Sequence, residues 1–232
     1  MLELDHIEAG PGPDFLLSAN MKLPAHGIIA VLGPSGAGKS TLLDAIAGFL
    51  PLRRGRILWE GRDISSLTPA RRPVSILFQD GNLFGHLTVA ENVALGLHPS
   101  LKLSAADRAK VAKALERVGL ETLGDRRPAE LSGGQAARVA LARALIRARP
   151  VMLLDEPFGA LGPGLKAEML ELVRDLARET GALVLMVSHD PNDARAIADQ
   201  VVLVDAGVAH PPVETGALFA KPPPALAAYL GK

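Results

Sequence analysis

Residues 33–41 read GPSGAGKST, following the apolar run Ile28–Leu32 and preceding the helix-like stretch Leu42–Phe49. A glycine loop ending in Lys-Ser-Thr between a strand and a helix is the setting in which backbone amides cradle phosphates. Gly33, Gly36 and Gly38 let the chain turn tightly, so that N–H groups at the helix start converge on an anion. Lys39 then reaches the β- and γ-phosphates, and the Ser40 hydroxyl is a ligand for Mg²⁺. The cradle comprises Gly33, Pro34, Ser35, Gly36, Ala37, Gly38, Lys39, Ser40 and Thr41. The reading from these residues is a nucleoside triphosphate site, with Mg²⁺ as the expected ion.

Working outward, Val151–Pro157 (VMLLDEP) reads as a buried strand that delivers two carboxylates at its end. Ligands of open parallel sheets sit beyond the carboxyl ends of the strands, so Asp155 and Glu156 should face the phosphates. Asp155 is the expected partner of Ser40 at Mg²⁺. Glu156 is placed to accept a hydrogen bond from the attacking water. A strand ending in Asp-Glu has little meaning alone, and it gains meaning from the glycine loop upstream.

Further apolar runs at Leu2–Ile7, Phe15–Leu23, Arg56–Trp59, Val74–Phe78, Leu183–Val187 and Val201–Val204 predict strands, several of them covered on both faces. Between them, Ala105–Val118 and Gly134–Ala148 carry apolar residues at helical spacing, with Ser104 a cap for the first. The pattern predicts an α/β fold, a mostly parallel sheet flanked by helices. One unit is expected, with a core over residues 1–87 and 151–210, a helical insertion over 88–150 and a tail of loop and terminal helix over 211–232.

The 232 residues balance 25 basic against 25 acidic side chains, which argues against a nucleic-acid partner. The absence of cysteine removes thiol catalysis and disulfides. MLELDHIEAG carries no apolar signal segment, and no apolar run approaches the ~20 residues of a bilayer span. A role at a membrane would be delegated to a partner.

The most specific string is Leu131–Gln135, LSGGQ, leading into a helix. Ser132 with the amides of Gly133 and Gly134, and with Gln135, makes a second phosphate-binding helix start. With GPSGAGKST and VMLLDEP, this string resembles the ATP-binding subunits of ABC transporters, over about Leu2 to Gly207. The resemblance implies a P-loop NTPase core with N-terminal antiparallel strands. It also implies a homodimer or like-subunit dimer, in which each LSGGQ completes the ATP site of the other protomer. Gln79, after the strand Val74–Phe78, would be the glutamine that touches Mg²⁺ or water. His189, in VSHD, would contact the γ-phosphate and hold Glu156 or the water.

In importers of this family a short helix of an integral membrane permease docks beside Gln79. The matching surface here is Gly81–Asn92, with Leu83, Phe84 and Leu87 as exposed candidates. Such a subunit lies peripherally on the cytoplasmic face of the inner membrane and is served indirectly by a periplasmic solute-binding protein. Nothing in the chain touches the solute, so iron, polyamine or oxyanion transport, or a role outside transport, stays open here. The chain also departs from the family. Gly12 stands near the place of the adenine-stacking aromatic, with only Phe15 nearby. Gly159-Ala160-Leu161-Gly162 replaces Ser-Ala-Leu-Asp, and Ala136-Ala137 stands where a glutamine is common. The glycine pair is expected either to loosen the dimer or to serve a backbone with positive φ.

Overall fold

The computed structural model describes residues 1–12, 14–79 and 81–230. Pro13, Asp80, Gly231 and Lys232, the last two closing the tail assigned from sequence, lie outside the described residues. In chain order the elements are β1 (Leu2–Gly12), β2 (Phe15–Leu23), β3 (Gly27–Leu32), α1 (Lys39–Ala47), β4 (Leu52–Trp59), β5 (Arg62–Asp63) and β6 (Val74–Leu77). There follow α2 (Val89–Ala94), α3 (Ala105–Arg117), α4 (Gly133–Ile146), β7 (Val151–Asp155), α5 (Pro163–Thr180), β8 (Leu183–Val187), α6 (Pro191–Ile197) and β9 (Gln200–Asp205). The chain then forms β10 (Val208–Ala209), β11 (Val213–Glu214), α7 (Thr215–Ala220) and α8 (Pro224–Tyr229).

Strands β6, β7, β8, β3 and β9 lie side by side and parallel, and their residues alternate between two buried faces. Ile29, Val31, Leu153, Leu185 and Val187 face α1 and the N-terminal strands. Ile28, Met152, Leu154, Val184 and Met186 pack with residues of α4 and α5. Apolar side chains on both faces explain why these strands read as continuous runs rather than as alternation. The N-terminal strands β1, β2, β4 and β5 pair antiparallel, as expected of this α/β fold.

Two readings of the sequence are corrected. β1 runs on to Gly12, because it exchanges backbone hydrogen bonds with β2 as far as Gly12 and Phe15. The tail also contains β11, where loop and helix were expected, and β10 lies just before it. Both satisfy backbone groups along β9, and β10 also pairs with β2, joining the antiparallel strands to the parallel ones.

The helices between β6 and β7 begin on strong local signals. Thr88 with Glu91, Ser104 with Asp107, and Ser132 with Gln135 each form a reciprocal capping box. Their apolar faces meet through Val89, Val93, Val111, Leu115, Val139 and Ala142. At the other end of α1, Arg72 is almost wholly buried, at 2% exposure. Its guanidinium donates to the carbonyls of Ala45 (2.7 Å), Ile46 (2.8 Å), Ser65 (2.7 Å) and Leu67 (3.1 Å). It thus satisfies orphan carbonyls at the helix C-terminus. Gly48 follows at φ 85°, and any Cβ there would sit 2.5 Å from Arg72 Nε, so glycine serves both the turn and the arginine.

Candidate active site

The order of the parallel strands assembles the site. In the sequence β3, β8, β7, β6 along the sheet, the segments leaving the carboxyl ends are the glycine loop, Ser188-His189, Asp155-Glu156 and Gln79. Val31 pairs with Val187, and Val187 with Asp155, so these ends are level. Groups far apart in sequence therefore converge on one edge, the position at which open α/β sheets bind ligands.

In the loop, Gly33, Gly36 and Gly38 all have positive φ, at 153°, 76° and 111°. Gly38 is the N-cap of α1, and no side chain caps that end. The helix start therefore presents bare amides and its positive partial charge. Lys39 is buried, and its Nζ donates to the carbonyls of Gly33 and Pro34, each at 2.9 Å. Burial lowers its pKa, opposed by the charges of Glu156 and Asp155. An ammonium held this way is a fixed cation beside the amides. Pro34, Ser35, Gly36 and Ser40 are exposed, while Ala37 is buried and Thr41 half-buried.

Ser40 Oγ donates to Asp155 Oδ1 at 3.3 Å across 115 residues of chain. Burial, with the neighbouring charge of Glu156, raises the pKa of Asp155, while the bonds and charge of Ser40 and Lys39 oppose the rise. Two hard oxygen donors side by side fit a cation that takes one carboxylate and leaves its other positions to water and phosphate, which is the habit of Mg²⁺. Gln79 lies exposed in the turn after β6. Among the described residues it makes no hydrogen bond to Ser40 or Asp155.

Glu156 turns the chain sharply at φ 44°, a conformation that non-glycine residues rarely hold. Its Oε2 accepts a 2.9 Å hydrogen bond from His189 Nδ1. The carboxylate is thus oriented at the strand end, with the imidazole as its partner. Ser132, Gly133, Gly134 and Gln135 form the start of α4, and Ser132 Oγ accepts from the Gln135 amide at 3.3 Å. Among the described residues no hydrogen bond joins them to Lys39, Ser40 or Asp155. Gly134 is buried against α5, where a Cβ would lie 2.3 Å from Leu165 Cδ2.

Two departures noted in the sequence acquire geometry. Phe15 packs on the glycine loop, with its Cζ 2.9 Å from where a Gly38 Cβ would be. Gly162 has φ −63° and ψ 156° as the N-cap of α5, and open space surrounds its Cβ position. The positive-φ expectation for the pair is therefore overturned, because neither Gly159 nor Gly162 adopts it. An added Cβ at Gly159 would instead lie 3.3 Å from His189 Cε1. Gly162→Asp is accordingly expected to supply a side-chain cap worth a few tenths of a kcal/mol over glycine, raising the thermal midpoint by about 1 °C. Gly159→Ser should crowd His189 at a cost of about 1 kcal/mol and slow basal ATP turnover roughly fivefold. Calorimetry and phosphate-release assays on the two single variants check both expectations, and equal effects would contradict them.

The sequence reading did not anticipate Lys166 or Tyr229. Lys166 on α5 donates to Asp190 Oδ2 (2.9 Å) and pairs with Asp193 Oδ1 (2.7 Å), bracing the segment that carries His189. Burial opposes its charge, yet its bonds to Asp193 and Asp190 win and raise its pKa. No local motif marks this lysine. Tyr229 is the single tyrosine of the chain, and that was the available signal.

The family model described as ABC transporter matches residues 16–159. Over 231 residues, covering all of both chains, the protein is 62% identical to the thiamine import ATP-binding protein ThiQ of Cereibacter sphaeroides. It is 56% identical, again over the full length of both, to the protein of the same name from a Ruegeria species. Among solved structures, an ATP-binding cassette captured as a dimer in a post-hydrolysis state with ADP and Pi superimposes with a TM-score of 0.79. That match has 27% identity and covers 93% of this chain and 99% of the other.

Proposed function

The chain belongs to the ABC transporter family of ATP-binding proteins, and on that premise we propose that it is the ATP-hydrolysing subunit of an importer for thiamine or its phosphate esters. For the chemistry, the supporting observation is the meeting of Ser40–Asp155 and Glu156–His189 beside the glycine loop. For the solute, it is identity of 62% across the whole of both chains. The stretch RRPVSILFQDGNLFGHLTVAENVALGLHP, residues 71–99, carries the same resemblance. Related ATPases for iron, a polyamine or an oxyanion, and ABC ATPases outside transport, are the competing readings.

In this reading the amides of residues 35–41 and the Lys39 ammonium hold the β- and γ-phosphates. Ser40, Asp155 and Gln79 would hold Mg²⁺, which spreads the charge of the transferring phosphoryl group. Glu156 accepts a proton from the water that attacks the γ-phosphorus, and His189 keeps the carboxylate aligned while ADP and phosphate separate. Ser132 to Gln135 face the nucleotide of a second, like subunit. That arrangement is supported by the dimer in which the similar ATP-binding cassette was captured.

Docking of the permease is assigned to the groove lined by Phe49, Phe78, Phe84, Leu95 and Arg143. Phe84 is half exposed, whereas Leu83 and Leu87 are half-buried, so Phe84 is the main apolar contact of the three expected from the sequence. The wholly buried Asn92 holds the loop by pairing with both backbone groups of Phe84 and with the carbonyls of Leu87 and Thr88. No described helix is long and apolar enough to cross a membrane, and in this reading the chain is a peripheral subunit held at the cytoplasmic face by its permease. The test is reconstitution with the cognate permease and solute receptor in liposomes. ATPase activity should rise severalfold with thiamine or its phosphates. Stimulation by another solute, with none by thiamine, would refute the assignment.

A further inference from the structure

Helix α8 returns from the end of the described chain to the segment that carries His189. Leu226 is fully buried among Ala30, Leu32, Ala194, Val201, Leu203 and Leu218, anchoring α8 on the outer face of β3 and β9. Tyr229, three residues further on, lies on the same side of the helix. Its hydroxyl donates a hydrogen bond to the backbone carbonyl of His189. Burial raises the pKa of the phenol, and the carboxylates of Glu156, Asp190 and Asp193 raise it further, so the group keeps the proton it donates. His189 is thus held twice, through its imidazole by Glu156 and through its carbonyl by α8. The Lys166 bridges to Asp190 and Asp193 support the same turn from α5.

We infer that Tyr229 is a positioning residue for the hydrolytic step, acting through the His189 backbone to set the Glu156–His189 pair. The inference rests on the roles given above to Glu156 and His189. It deepens them by making α8 part of the apparatus that aligns the water. An exposed imidazole on a short turn has several orientations open to it, and a tie to its carbonyl restricts them before the phosphate arrives.

The test is Tyr229→Phe in the full chain, which keeps the packed ring and removes only the hydroxyl. The kcat for ATP should fall about three- to tenfold, the effect of one hydrogen bond that matters in the transition state. KM for ATP should stay within about twofold and the thermal midpoint within about 2 °C, because neither phosphate binding nor packing uses the hydroxyl. In a His189→Ala background the same substitution should have no further effect, since the tie would have nothing left to position. Incorporated 3-fluorotyrosine gives a second readout. With one tyrosine in the chain, its single ¹⁹F resonance should shift when ATP binds to the Glu156→Gln protein.

Unchanged kcat in Tyr229→Phe, or an effect that persists in full beside His189→Ala, would overturn the inference. So would a parallel loss of kcat, KM and thermal midpoint, which indicates packing alone. The Glu156→Gln protein separates the two levels. If it hydrolyses ATP like wild type, the reading of the site fails and carries this inference with it. If it is inactive while Tyr229→Phe is normal, only the inference fails.

Discussion

Glu156→Gln should still bind ATP but turn it over about 10²–10⁴ times more slowly, the usual worth of a positioned general base. The substitution preserves side-chain shape and the acceptor facing His189 Nδ1, which lies 2.9 Å from Oε2 in the parent protein. It leaves the backbone bond from the Glu156 amide to the Val187 carbonyl, at 3.2 Å, in place. The substitution removes the negative charge and, with it, the capacity to take a proton from water. The glycine loop, Lys39 and Ser40 stand on other elements, and the bond from Ser40 to Asp155 does not involve the Glu156 side chain, so nucleotide affinity should remain within about threefold. With hydrolysis blocked, an ATP-bound dimer should accumulate and be visible by light scattering or size exclusion. Fluorescent-nucleotide titration and phosphate release measure the two halves of the prediction. Hydrolysis at the parent rate would remove Glu156 from the mechanism, and loss of ATP binding would make its role structural.

The second large effect concerns stability and lies away from the site. Arg72→Met should lower stability by about 3–5 kcal/mol, or roughly 10 °C in thermal midpoint for a chain of this size. The buried guanidinium serves the carbonyls of Ala45, Ile46, Ser65 and Leu67 at once, and a thioether serves none. Buried acceptors left without donors carry their full desolvation penalty, which is where most of the loss arises. Burial already lowers the pKa of Arg72, opposed by the charge of Asp63, so the arginine is retained for its bonds despite the cost of enclosing a charge. Arg72→Lys, whose ammonium has three donors and no planar fork, should recover less than half of the loss. ATP affinity, measured where the variant is folded, should change less than about threefold. Arg72 holds the far end of α1 and not the phosphate loop. A midpoint within 2 °C of the parent in Arg72→Met would refute this account.

These two residues mark the division between what can be read locally and what cannot. The place of Glu156 at a strand end was legible because it closes a continuous apolar run, and the role proposed for it came from the glycine loop, another local pattern. Phe15–Leu23 and Leu183–Val187 were legible as strands to the residue. The Ser104 cap was legible too, because hydrophobic period and cap chemistry act over a few residues. Arg72, by contrast, sits in an ordinary polar turn, and its four acceptors come from a helix and a loop that pass it only after folding. The positive-φ alternative for the glycine pair fails for a related reason. Glycine composition allows positive φ, but the N-cap position of Gly162 and the His189 ring beside Gly159 depend on how α5 leaves the sheet.

What the sequence by itself determined is the inventory: a glycine loop between a strand and a helix, carboxylates at a strand end, a second capped glycine turn and a histidine after an apolar strand. These are set by short-range sterics and hydrogen bonding, which act within a few residues of chain. The tertiary structure alone decided their assembly. The strand order β3, β8, β7, β6 aligns the four carboxyl ends, brings Ser40 to Asp155 across 115 residues, joins Glu156 to His189, and seats Tyr229 on the His189 carbonyl. The physical reason is that burying apolar side chains on both faces of the parallel strands fixes how the elements lie against one another, and contacts between distant segments follow from that packing rather than from local pattern.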